Sequence, residues 1–411
     1  MKSIAISAVT AIFLSQMLCA QDVKSLKDTE DKNTLVKEVK AELRAGYIKL
    51  DPDGFESESA VSLGGHIGFE TNRYNGITAG VEFYTVQGMG IQNDNPDKID
   101  GDFFDGQKSG FSILSQAFID GKWGNTELKI GRQLIDTPHA DSDDIRMMPN
   151  YFMAYILSNN DIEGLILSIG QITQMAGWEN GIDASGFKNI SEVLALGRST
   201  DGIYLASALY EGIENSSFEV WFYNIDDVAN VLYLEAGYEM KTDIASVTFG
   251  IQYDRANDTG ERLGGSIDSS TWGISVEASF EDIGITAMAA YNQDNKDNGA
   301  FGSFGGGAFF TSLEDQTLDA MEQKGSAWVV GVGYDFANSK IDGLSISAVY
   351  GKFEADNLDN YDTDEIDVMM EYDLNENFNM TLAYASIKDN TNGDVGSGDY
   401  DQFRLIANYD F

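Results

Sequence analysis

The sequence predicts an all-β fold: a transmembrane antiparallel β-barrel of about eighteen strands, with short periplasmic turns and long outer loops. Three observations carry this. First, apolar residues recur at every second position in segments of about ten residues, separated by Asn, Asp and Gly, and the chain ends on one such segment. In Phe403–Phe411 the odd positions are Phe403, Leu405, Ala407, Tyr409 and Phe411, and the even ones are Arg404, Ile406, Asn408 and Asp410. A strand sends alternate residues to opposite faces, so this is one greasy face and one mostly polar face. Second, beyond the N-terminus there is no run of about 18 apolar residues, so a membrane could be crossed only by a closed barrel. Third, Met1 to Ala20 has a basic start at Lys2, an apolar stretch from Ile4 to Leu14 and a small-residue end, as an export signal does.

In chain order, residues 1–20 are expected to be a signal peptide. Residues 21–37 are charged and aperiodic, a periplasmic leader, and 38–411 form the barrel domain. Cleavage after Ala20 leaves no cysteine, so the fold must hold without a disulfide. The first lipid-facing row is Val39, Ala41, Leu43, Ala45 and Tyr47, with Glu42 and Arg44 opposite. Val61, Leu63, Ile67 and Phe69 make the second row, and Ile77, Ala79, Val81 and Phe83 the third. The same reading puts Phe111, Ile113, Ala117 and Ile119 on a fourth row, starts a sixth strand at Met148, and puts Ile203, Leu205 and Leu209 on an eighth. Later segments repeat the pattern; in one, Val247, Phe249 and Ile251 face lipid and Ser246, Thr248 and Gly250 face inward. Small and polar inward residues describe a wet lumen better than a packed core. Aromatics such as Tyr334, Phe336, Tyr384 and Tyr409 cluster at strand ends, where rings sit well at the headgroup level.

Charge and residue counts exclude several function classes. Lys+Arg 26 against Asp+Glu 67 gives a net charge of −41, which excludes nucleic acid as a partner, since phosphates need basic stripes. The two histidines, His66 and His139, lack the surroundings of a nucleophile elbow, and no Cys/His metal set can be assembled. No enzyme activity, cofactor or metal is expected.

The charged stretch Gly131–Pro149 reads G-R-Q-L-I-D-T-P-H-A-D-S-D-D-I-R-M-M-P. If it folds back into the lumen, Arg132, Asp141, Asp143, Asp144 and Arg146 stand in the path, where fixed charges select ions. Its G-R-Q, T-P and S-D-D-x-R-x-x-P resemble the third outer loop of the OprD-type porins. Gly181–Ile190, after Gln171-Ile172-Thr173, is similar to that family's next long loop. Ala308–Phe336, with Q-T-L-D and a closing G-Y-D-F, is similar to its constricting seventh-loop region.

The resemblance implies an eighteen-stranded outer-membrane porin of a Gram-negative bacterium, passing ions and small hydrophilic solutes by passive diffusion. It also implies a carboxylate preference, guided by a ladder of Arg and Lys on the lumen wall. Arg132, Asp144, Arg146 and Pro149 match the motif, and parity adds Arg44, Lys129 and Arg404 as lumen-wall cations, with Glu82 as a wall acid. The chain departs from the pattern in its inward acids: Glu42, Glu82, Glu127, Glu235, Glu277, Asp367 and Glu371 outnumber those cations, so weak cation selectivity stands as a reading beside the carboxylate preference, and the sequence does not choose between them. The expected partners are outer-membrane lipid and lipopolysaccharide, the solutes, and the barrel-assembly machinery, which would read Tyr409 and Phe411; a homotrimer is the candidate assembly. The competing reading is an adhesin or structural barrel with a closed lumen and partner-binding outer loops.

Overall fold

The computed structural model describes residues 35–357, 359–391 and 398–411. The expected signal peptide and most of the expected leader lie outside the described residues. The first strand begins at Val36, two residues before the expected domain boundary.

Eighteen long strands form one sheet. They are β1 (Val36–Pro52), β2 (Glu58–Thr71), β3 (Ile77–Gly88), β4 (Phe111–Trp123), β5 (Thr126–Gln133), β6 (Tyr151–Asn159), β7 (Leu165–Ala176), β8 (Ile203–Tyr210) and β9 (Ser216–Ile225). The second half comprises β10 (Ala229–Lys241), β11 (Ser246–Asp258), β12 (Asp268–Phe280), β13 (Ile285–Asp294), β14 (Gly325–Asp335), β15 (Leu344–Ala355), β16 (Asp362–Asn375), β17 (Phe378–Asp389) and β18 (Tyr400–Asp410). Each pairs antiparallel with its neighbours in sequence, and β18 returns to β1, with Tyr409 opposite Leu43 and Leu405 opposite Tyr47. The sheet is therefore closed and leaves no edge. Phe411, just past β18, still donates its N–H to Ala41 O at 3.0 Å.

The longest connections gather at one end of the barrel, which also carries the three-residue turn 226–228. Residues 72–76, 124–125, 242–245, 281–284 and 376–377 make tight turns at the end that carries the termini. Residues 89–110, 134–150, 177–202 and 295–324 make long loops at the other end. The prolines keep out of strand interiors: Pro52 ends β1, Pro96 opens a 3-10 turn, and Pro138 and Pro149 lie in a loop.

Face alternation follows the sequence along most strands. On β11 Phe249 and Ile251 are exposed while Gln252 is buried, and β9 presents Phe218, Val220 and Phe222 outward against buried Trp221 and Tyr223. Three expectations are corrected. On β4, Ser115 is an extra residue: Glu82 pairs with Gln116 but Phe83 pairs with Leu114. This bulge reverses the parity above it, so Phe111 and Ile113 turn inward and Leu114 outward, while Ala117 and Ile119 keep their expected face. On β8, Ile203 and Leu205 are buried and Tyr204 is exposed. The alternate set Tyr204, Ala206, Ala208 and Tyr210 is also apolar, so period alone could not choose between faces. The sixth strand starts at Tyr151, leaving Met148 in the loop.

The outer half of the lumen is not uniformly wet. The long loops fold into it and pack on the inner wall in four apolar clusters. Phe103, Phe104, Met147 and Met148 meet Ile48, Ala60, Tyr84 and Val86 of β1–β3. Phe304 joins Trp221, Tyr223 and Tyr233; Phe309, Leu318 and Met321 meet Ala327 and Phe353; Phe310 meets Met288, Val329 and Val349. Two wall glycines make room. A Cβ on Gly46 would lie 2.4 Å from Met147 Sδ, and one on Gly250 would lie 2.9 Å from the Phe310 ring. An inner wall that is apolar here and polar elsewhere hides the Ser115 bulge of β4 from the binary pattern and leaves both faces of β8 apolar.

Candidate pore constriction

The loop 134–150 is fixed at both ends before it reaches the lumen centre. Near its start, His139 is buried against the β9–β11 wall. Its Nε2 lies 2.7 Å from Asp254 and its Nδ1 donates to Gly302 O at 3.2 Å, which joins this loop to 295–324. Burial disfavours a charged imidazole, but Asp254 and the Gly302 carbonyl outweigh it and hold the His139 pKa up. Near its end, Met147 and Met148 are buried against β1–β3. Asp144 and Arg146 are thereby held beside the wall between β18 and β2.

Three buried guanidiniums are the candidates for an eyelet, and each is paired. Arg44 on β1 reaches both oxygens of Asp144, at 2.5 and 2.7 Å, donates to Asn408 Oδ1 at 2.8 Å and to Arg146 O at 3.1 Å, and lies 3.2 Å from Glu42. Arg146 donates from Nε to Asp102 at 3.2 Å, and its guanidinium lies 4.5 Å from the ring centre of Trp178. Its Nη1 is buried with no hydrogen-bond partner among the described residues. Arg404 on β18 donates to Glu314 of the loop 295–324 at 2.5 Å. The arginines come from the wall and one loop; their carboxylates come from three different loops.

Further acids crowd the same space with no cation at ion-pair distance among the described residues. Burial pushes the Asp143 carboxyl up to about 8, Glu179 and Glu314 add to it, and Arg146 and Arg404 oppose it. Asp141 is likewise pushed up to about 8 by burial and by Asp143 and Asp136. Burial also raises Asp315, despite Arg146 nearby, and Glu179, despite hydrogen bonds from Asn150 Nδ2 at 2.5 Å and Gly306 N at 3.1 Å.

The residues singled out from sequence separate into three groups. Arg44 meets Asp144 and the Arg146 carbonyl, and Asp143 lies near Arg146 and Arg404; Asp141 is beside Asp143, its N–H donating to Phe304 O at 3.1 Å. Glu82 and Lys129 are on the inner wall but apart from it. Glu82 accepts from Tyr151 at 2.7 Å, Ser115 at 2.8 Å and Gln116 at 3.0 Å, and Lys129 caps the Phe118 ring at 4.3 Å. Arg132 is a correction. It shares the outward register of Ile130, opposite Ala117 and Met153, donates to Leu114 O at 2.8 Å and stacks on Phe187 at 4.3 Å. An odd-numbered step from the inward Gly131 cannot bring it to the lumen. Sequence reasoning missed Asp102, Trp178, Glu179, Glu314, Asp315 and Glu365. Glu314 and Asp315 fall inside the Ala308–Phe336 segment; for the others no local signal exists, because their partners lie on loops distant in sequence.

Comparisons with known proteins agree with this architecture. The family model described as outer membrane porin, OprD family, matches residues 109–411. OccK9 (OpdG) of Pseudomonas aeruginosa superposes with a TM-score of 0.78 at 19% identity, covering 91% of this chain and 97% of that one. The outer membrane protein OpdK of the same organism gives 0.78 at 19% identity, over 92% of this chain and 100% of that one. OccAB2 of Acinetobacter baumannii gives 0.78 at 15% identity, over 92% and 99%. At these identities the likeness is one of fold. No curated protein matches the sequence.

Proposed function

The chain belongs to the OprD family of outer membrane porins, and from that premise we propose that it is a diffusion channel with a weak preference for cationic and zwitterionic solutes, set at the eyelet of Arg44, Arg146 and Arg404. The porin acts in the outer membrane of a Gram-negative bacterium on small solutes. Its passage has no chemical step: solute enters between acidic outer loops, is sorted at the eyelet, and leaves on the periplasmic side.

One observation supports the cation preference. Every candidate eyelet guanidinium is already matched by a carboxylate, through Asp144, Asp102 and Glu314, while Asp143, Glu179 and Asp315 are additional acids whose ionisation, held back by burial, adds negative charge as pH rises. A fixed charge in a narrow, partly dehydrated passage acts more strongly than one in bulk water, so the sign of the surplus decides. A free guanidinium ladder would draw carboxylates; a matched one draws them weakly.

Several partners are part of the same proposal. The outward aromatic and aliphatic rows suit acyl chains, and the outer rim suits lipopolysaccharide. The barrel-assembly machinery reads the last strand at Tyr409 and Phe411, and three copies form the assembled unit.

Reversal potential across a planar bilayer in a KCl gradient tests the reading. A cation-signed potential with a stable open conductance is expected. An anion-signed potential overturns the selectivity, and absence of conductance favours the closed adhesin-like barrel.

A further inference from the structure

We infer that Glu365, on the inner face of β16, is a positioning residue for selectivity: it holds the tip of the loop 295–324 by its backbone amides, and so delivers Glu314 to Arg404. The inference rests on the eyelet reading given above and adds to it a residue outside the path itself.

The geometry is specific. Glu365 is fully buried, and its two oxygens each accept one amide, Oε1 from Asp315 N at 3.0 Å and Oε2 from Gln316 N at 2.7 Å. Asp367, two residues on and so on the same face, accepts from Glu314 N at 3.3 Å. Three consecutive amides thus converge on two wall carboxylates. The tip is a closed unit: Leu313 N donates to Gln316 O at 2.9 Å, and Tyr361 donates its hydroxyl to the Gln316 side chain. Gly351 lets this turn lie against the wall, since a Cβ there would stand 2.5 Å from Leu313 Cδ1.

Bonds from backbone N–H groups to a buried carboxylate are strong and directional, and leaving those donors unpaired is costly. The tip therefore has one seat on β16. From that seat the Glu314 side chain reaches the guanidinium of Arg404 at 2.5 Å. Glu365 itself is closed off by its two amides and by burial, so it acts on solute through Glu314. Backbone donors carry no sequence signature, so from the sequence alone Glu365 is one more acid in an acidic chain.

The test compares permeability ratios, from reversal potentials, in four refolded and heat-modifiable channels: wild type, Glu314→Gln, Glu365→Ala and the double variant. The expected result is that Glu365→Ala lowers the cation-to-anion ratio as far as Glu314→Gln does, about two- to fivefold, and that the double variant equals Glu314→Gln alone. Where Glu365→Ala fails to fold, Glu365→Gln, which keeps the shape and one acceptor, is read in both backgrounds. A smaller shift of the same sign, present with Glu314 and absent in Glu314→Gln, supports the inference. A ratio equal to wild type for the Glu365 variants, or a shift that persists in full in the Glu314→Gln background, overturns it. If Glu314→Gln alone leaves the ratio unchanged, the eyelet reading itself falls, and that failure is visible separately.

Discussion

Arg44 grips Asp144 through both terminal nitrogens, at 2.5 and 2.7 Å. This ties the first strand of the barrel to the loop between its fifth and sixth. Arg44 is almost completely buried, and its Nε is held by Asn408 of the closing strand. A bidentate pair of this kind fixes orientation as well as charge. The carboxylate is the more open partner, with 43% of its side-chain surface exposed. Arg44→Ala is expected to release the loop and uncover Asp144. Single-channel recording should then show a larger conductance, a stronger cation preference and more current noise.

Face parity is testable at two adjacent positions. Phe249 points outward on β11, while Thr248 points inward and pairs across the sheet with Glu239 and Glu277. Phe249→Arg places a charge against acyl chains and is expected to cost about 2–4 kcal/mol near mid-bilayer. Thr248→Arg lands between two acids and should fold normally, with a changed conductance. Urea unfolding in lipid vesicles measures the first, and equal tolerance at the two sites would contradict the assignment.

The strands were legible in the sequence because a barrel wall repeats one pattern many times. Phe403–Phe411 shows that pattern plainly, and the structure pairs it with β1 to close the barrel. Parity failed where loops pack on the wall, since there the inner face is apolar as well: Phe111, Ile113, Ile203 and Leu205 look lipid-facing and are buried inside. At the site, the Asp143–Arg146 segment, Arg44 and Arg404 could be picked out by charge and parity. Asp102, Glu179 and Glu365 could not, because their roles come from contacts between distant segments. Arg132 shows the opposite error, a motif match that the strand's alternation contradicts.

Assembly is predicted to depend on the last residue. Phe411 packs edge-on against Tyr409 at 5.0 Å and donates its N–H to Ala41 O. Deleting Phe411 should lower the amount of heat-modifiable protein in the outer membrane and leave export unchanged. Wild-type levels of folded barrel would count against a role in assembly.

Selectivity is predicted to depend on pH with a definite sign. Asp141 and Asp143 are held up at about 8 by burial and by neighbouring carboxylates. Below that value they carry a proton and no charge; above it they ionise. The eyelet therefore gains negative charge as pH rises from about 7 to 9, and the cation preference should increase over that window. Asp143→Asn should flatten most of the change in a reversal-potential titration, and an unaltered profile would remove Asp143 from the path.

The most direct test of the central claim, that the inward loop 134–150 sets the passage, is the reversal potential of two variants in a low-salt KCl gradient. Arg146→Ala removes a guanidinium that is buried beside Asp102 and Trp178, and its potential should move toward cations. Asp143→Ala combined with Asp144→Ala should move it toward anions. Both shifts should shrink at high salt as screening lengths fall. Opposite displacements of the two variants are the predicted result; potentials that both coincide with wild type would contradict the account.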